Sequence, residues 1–160
     1  MQTLAWKVDN SKSYNDLFEL VKRTVQVESG LHRAGLSLVL SNMPNAIGAY
    51  HPVGSNMIVL NRSLLHDMDR LMKRSNVNSF VFTVLMHEYL HSLGIYDERE
   101  VRFKVQTICR AALGDNHVAV RMSVGNWFDM YPQLAFSRES HESGFEVVEK
   151  FDSGSTPYLG

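Results

Sequence analysis

The sequence predicts an α/β (α+β) fold: a twisted mixed sheet of three to four strands packed on one central helix and on further helices. Three observations point there. Short apolar runs bounded by breakers cluster between residues 35 and 61, and apolar residues recur at helical spacing on both sides of that block. In addition, 160 residues at 44% hydrophobic content are enough for one compact core.

The first helix is read in "SYNDLFELVKRTVQVESG", where Ser13 stands three residues before Asp16 as a cap. Leu17, Phe18, Val21 and Val25 form its apolar stripe, and Gly30 ends it. "GLSLVLSN" reads as a buried strand, and "IGAYH" and "MIVLN" as two more joined by the turn "PVGSN". A helix over 63–73 carries Leu64, Leu65, Met68, Leu71 and Met72 on one side, a core stripe. The next helix is expected to begin near Asn78 or Ser79 and to end at Gly94, where a left-handed cap suits glycine. Another follows over 97–113, with Val101, Val105, Ile108 and Ala112 at buried-stripe spacing. "HVAVRMSV" alternates as a late strand would. From Ser137 on, a Ser-, Gly- and Glu-rich segment reads as a loosely held tail.

Composition removes several function classes. The formal net charge is -1 and the pI near 6.6, so no basic excess points to nucleic acid or a membrane surface, and the cluster Arg70, Lys73, Arg74 reads as a solvated helix end. No apolar run approaches the ~18 residues of a membrane span. The single cysteine, Cys109, has no partner for a disulfide and reads as a buried helix residue. With no secretory leader in "MQTLAWKVDNSKS", a cytoplasmic protein is expected.

The chemistry concentrates in "VLMHEYLHSLGIYDERE", Val84 to Glu100. On a helix, His87 and His91 project from one face a turn apart, so both imidazoles can reach one ion at about 2.0–2.1 Å. Glu88 is rotated about 100° away, poorly placed as a ligand but able to take a proton from water beside the ion. "FVFTVLM" buries the same helix, and Gly94 lets the chain turn so that Asp97 and Glu98 come back toward the histidines. Asp97 also stands three residues before Glu100, a capping-box arrangement that ties its carboxylate to the backbone. Its role as third ligand and that of Glu98 are both open on these grounds.

"HEYLHSLGIYD" resembles the zincin metallopeptidases, and its spacing HExxHxxGxxD is similar to the metzincin motif. "IGAYHPVGSNMIVLN" is similar to the strand that runs above the active-site helix in zincins, so the likeness covers roughly residues 46–100. The resemblance implies a zincin-like domain over 1–136, followed by the tail over 137–160. It implies Zn²⁺ held by His87, His91 and Asp97, with Glu88 as general base. A minimal gluzincin would use Glu98 in place of Asp97. The chain departs from metzincins by running directly into a long helix, and Met122 and Met130, the later methionines, read as core residues and not as a Met-turn.

The implied activity is peptide hydrolysis on a peptide or protein substrate. The alternatives are a YbeY-like zinc hydrolase acting on RNA, whose motif has glycine where this chain has Glu88, and a zinc-binding module without catalysis, which would need a fourth ligand. His51, Tyr50, His117 and Tyr131 are candidates to stabilise an oxyanion, though each has an ordinary structural role open to it. The tail carries "GFEVVEKF" and His141. It could add a strand to "IGAYH" or "MIVLN" and lie across the zinc, with His141 or Glu142 taking the place of water, a form of self-inhibition.

Overall fold

The computed structural model describes residues 2–124, 127–135 and 144–152. Helices and a four-stranded mixed sheet share one core, as the α/β reading expects. The chain opens with α1 (Leu4–Asp9), capped by Thr3, and α2 (Tyr14–Ser29), whose cap Ser13 accepts from Asp16 N at 3.0 Å. The sequence reading has no α1, because six residues with Val8 alone fully buried offer no recognisable stripe.

Strands β1 (Ser37–Ser41), β2 (Ala49–Tyr50) and β3 (Met57–Asn61) follow, with β4 (Phe145–Val147) arriving from the end of the chain. The sheet order is β2-β3-β1-β4. Its centre is the parallel β1–β3 pair, register Ser37↔Met57 to Ser41↔Asn61, and antiparallel β2 and β4 flank it on opposite sides. Leu38, Leu40, Ile58 and Leu60 face the core from the two central strands, at roughly 1.5–3 kcal/mol for each fully buried side chain.

After β3 come α3 (Arg62–Leu71), α4 (Arg74–Ser92), α5 (Glu98–Leu113), α6 (Val118–Val124), the short α7 (Trp127–Met130) and a 3-10 turn (Pro132–Ala135). Helix α4 begins four residues before Asn78. Lys73 at its N-cap provides no side-chain hydrogen bond, so the usual start signal is missing. "HVAVRMSV" is helix α6 and not a strand. His117 begins it by accepting from Ala119 N at 3.0 Å, and Ala119, Val120 and Met122 are buried, a helical pattern that the alternation of valines masks. Cys109 is fully buried, and burial pushes its thiol up to about 12.

The last described residues differ from a loosely held tail. Strand β4 pairs with β1, while Phe151 and Asp152 are buried against α2. This segment lies on the sheet edge opposite β2, and His141 and Glu142 fall outside the described residues. Among the described residues, no helix is long and apolar enough to cross a membrane.

Candidate metal centre

Helix α4 is buried nearly all round, with Phe80, Val81, Phe82, Leu85, Met86, Tyr89 and Leu90 enclosed by its neighbours, so its polar side chains reach solvent only where the packing opens. His87 and His91 sit at such an opening with ring centroids 4.9 Å apart. The helix stops just after them. Gly94, at φ +99°, adopts a backbone that other residues rarely tolerate, and Arg33 donates to the Ser92 carbonyl at 2.8 Å, fixing the helix end.

The turn brings the start of α5 back over the histidines. Asp97 is the N-cap of α5, its Oδ1 accepting from Glu100 N at 3.0 Å, so its carboxylate is turned onto its own helix. Glu98 comes next, about 100° further round the axis, and reaches both rings. Its Oε2 lies 3.0 Å from His87 Nε2 and its Oε1 2.7 Å from His91 Nε2. Of the two candidate third ligands, the fold therefore assembles Glu98 with the histidines and leaves Asp97 outside. Among the described residues, His87, His91 and Glu98 are the one group of three such side chains whose ligand atoms all lie within 4.8 Å of one another.

His91 is held from its other side as well. Its Nδ1 is 2.7 Å from the Ile95 carbonyl, which can only accept, so Nδ1 donates there and Nε2 is the nitrogen turned toward Glu98. That Nε2 is buried, and its near neighbour is Glu98 Oε1 at 2.7 Å. A proton or a metal ion can sit between this nitrogen and the carboxylate. Two imidazoles and a carboxylate whose ligand atoms all lie within 4.8 Å of one another are a donor set that fits a divalent metal ion.

Electrostatics separate the acids. Burial pushes the Glu98 carboxyl up, but the neighbouring imidazoles, His87 first, outweigh it and hold it below the usual range. His87 is lowered, first by burial. Glu88 is 6% exposed, and burial, helped by the negative charge of Glu98, pushes its carboxyl up to about 8 against the pull of the His51 backbone N–H that donates to it. These acids differ in role because one is paired with imidazoles and the other is enclosed.

His87, Glu88 and Glu98 line one cavity of about 530 Å³. Its roof includes residues 46–49, leading into β2, and Gly48 lies so close to Phe80 and Val84 that a Cβ there would stand 3.2 Å from each. Gly48 O accepts from Asn61 N across the sheet, so by antiparallel alternation Ala49 turns its N–H and C=O toward the open edge. A larger hollow of about 980 Å³ opens between the α1–α2 connection and the first turns of α4, and none of the triad lines it.

The other sequence candidates are engaged elsewhere. The His51 ring bonds to the Met57 carbonyl at 2.7 Å, and only its backbone meets Glu88. Tyr50 is on the edge strand and does not line the cavity, His117 is held 3.2 Å from Asp9, and Tyr131 OH accepts from Asn76. Met122 is buried, as a core residue should be, and lines the cavity. The sequence reading missed Arg102 and Trp127, which also line it. Arg102 falls one turn after Glu98 on α5, a spacing that could have flagged it, whereas Trp127 is brought in by long-range packing on Phe80. The chain matches no protein-family model, no curated protein and no solved structure.

Proposed function

We propose that the chain is a zinc-dependent metallopeptidase of zincin type, with His87, His91 and Glu98 as metal ligands and Glu88 as general base. One observation carries the reading: two imidazoles and a carboxylate converge at the mouth of a cavity whose wall holds a buried glutamate. Two imidazole donors favour Zn²⁺ over Mg²⁺ or Ca²⁺. Three ligands leave a coordination position open, the arrangement of catalytic and not structural zinc. Bound there, Zn²⁺ would supply Lewis-acid polarisation of a peptide carbonyl and acidify water.

The chain's own groups supply the rest. Glu88 gives up its proton more readily once positive charge sits at the triad, takes one from water during attack, and returns it to the departing amine. The outward N–H and C=O of Ala49 hold an extended peptide beside the cavity as an added strand. The apolar enclosure of α4 keeps the histidines from drifting, which preserves alignment.

Elemental analysis and casein turnover test this together. About one zinc per chain is expected, lost in His87→Ala, His91→Ala and Glu98→Ala but kept in Asp97→Ala. Glu88→Gln should keep its zinc while turnover falls at least a hundredfold. Full zinc in Glu98→Ala, or undiminished turnover in Glu88→Gln, contradicts the assignment.

A further inference from the structure

The cavity beside the triad has an uneven supply of hydrogen-bond donors. Of its side-chain donors, Thr83 is spent on the Phe80 carbonyl at 2.8 Å, Ser123 on the Val120 carbonyl at 2.7 Å, and Trp127 Nε1 on the Asn45 carbonyl at 3.2 Å, while His87 faces Glu98. Arg102 lines the same wall and has no hydrogen bond or ion pair among the described residues. Its neighbours on the wall include Val84, Val105 and Met122, so beside its polar groups the hollow has an apolar patch, and exposed Arg102 is the one Lys or Arg among the described residues that line it.

Position adds a distance. Arg102 lies four residues after Glu98, on the same face of α5 and about 6 Å further along its axis. An extended peptide covers about 3.3–3.6 Å per residue, so a group held at Arg102 lies within about two residues of a bond placed at the triad. A guanidinium in that position offers a planar fork that matches a carboxylate.

Resting on the peptidase reading of the same site, we propose that Arg102 sets specificity: it seats a substrate carboxylate within two residues of the scissile bond, while an apolar side chain fills the pocket. The carboxylate comes from an Asp or Glu side chain or from the C-terminus of a short peptide. Both sources offer the same two oxygens.

Two measurements test it. Peptides with one apolar residue at the bond are compared as acid and amide pairs, Glu against Gln in amidated chains and free against amidated C-termini in chains without acids. For wild type, kcat/KM should favour one acid series roughly tenfold, the size of one charge-assisted hydrogen bond. Arg102→Ala should remove the preference, and Arg102→Glu should reverse it toward peptides carrying lysine. The series that shows the effect identifies the source. Calorimetric binding of the same pairs to the zinc-loaded Glu88→Gln protein needs no turnover. If binding follows the carboxylate and Arg102 but wild type cleaves nothing, the seat stands and the peptidase reading falls. If peptides are cleaved or bound with equal preference in wild type and Arg102→Ala, the seat is refuted and the peptidase reading is untouched.

Discussion

At His91 and Glu88, neighbours on one helix, environment assigns opposite tasks. His91 spends one nitrogen on a backbone carbonyl and turns the other toward Glu98, whereas burial, helped by the charge of Glu98, favours the protonated form of Glu88. The histidine pair and Glu88 were legible because HExxH encodes a helical face. The choice between Asp97 and Glu98 was not, since both follow the same turn and only the capping geometry of α5 decides which carboxylate is free. Glu88 makes stability depend on pH. Its folded value of about 8 lies above its ordinary 4.5, so between those values the folded chain binds more protons than the unfolded one and stability falls as pH rises. His87 and Glu98 are both lowered, so they act below their ordinary 6.5 and 4.5. From about 6.5 to 8 Glu88 therefore contributes a falling slope that neither His87 nor Glu98 offsets. For chelator-treated protein, the urea midpoint should drop from pH 6.5 to 8, and Glu88→Gln should flatten the slope. A midpoint that rises across this window in the parent would overturn the assignment.

At the scale of elements, the pieces with strong local signals were read and those set by tertiary contacts were not. The stripes of α2, α3 and α5 and the β1 and β3 runs show in the sequence because each buries a repeating face. The start of α4 lacks a capping side chain, and α6 is held by its neighbours although its valines alternate. Asn61 is a third kind of case, one polar residue that shapes a loop. Fully buried at the end of β3, it donates through Nδ2 to the carbonyls of Met43, Pro44 and Ile47 at 3.0, 3.1 and 2.8 Å, and its Oδ1 accepts from Met43 N and Leu64 N. It thereby pins the segment that roofs the cavity and caps α3 as well. Asn61→Ala strands several buried backbone groups and should cost roughly 3 kcal/mol. Urea unfolding measures this directly, and a loss under about 1 kcal/mol would mean the loop is held by other contacts. Zinc content should survive, because the triad sits on α4 and α5.

Across the whole molecule, the end of the described chain returns to the core near helix α4. Phe151 stacks on Phe18 at 4.6 Å, and Phe18 meets Tyr89 edge-on at 5.4 Å, placing the returning segment two rings from the motif helix. Asp152 pairs with buried Lys22 and accepts from Leu36 N at 2.7 Å, in a left-handed backbone that aspartate tolerates. A sequence reading could not find this, because β4 is exposed along its length and the anchoring pair is 130 residues apart. Truncation after Phe136 would remove the anchor along with any self-inhibition, so gain of activity is a poor test of the tail. A single substitution is cleaner. Asp152→Asn keeps the shape and the backbone preference but leaves the charge of Lys22 buried, a change that commonly costs 3–5 kcal/mol. Half-exposed Glu19, 3.0 Å from Lys22, retains part of the pairing, so the expected loss is about 3 kcal/mol, and Tm should fall by roughly 6–12 °C in a chain of this size. Replacing both partners, Lys22→Met with Asp152→Leu, should recover part of that loss by leaving no buried charge, although Leu36 N stays without its acceptor. Thermal unfolding of the single and double variants separates the outcomes: a Tm unchanged in Asp152→Asn would show that Phe151 and the β1–β4 pairing hold the segment without the ion pair.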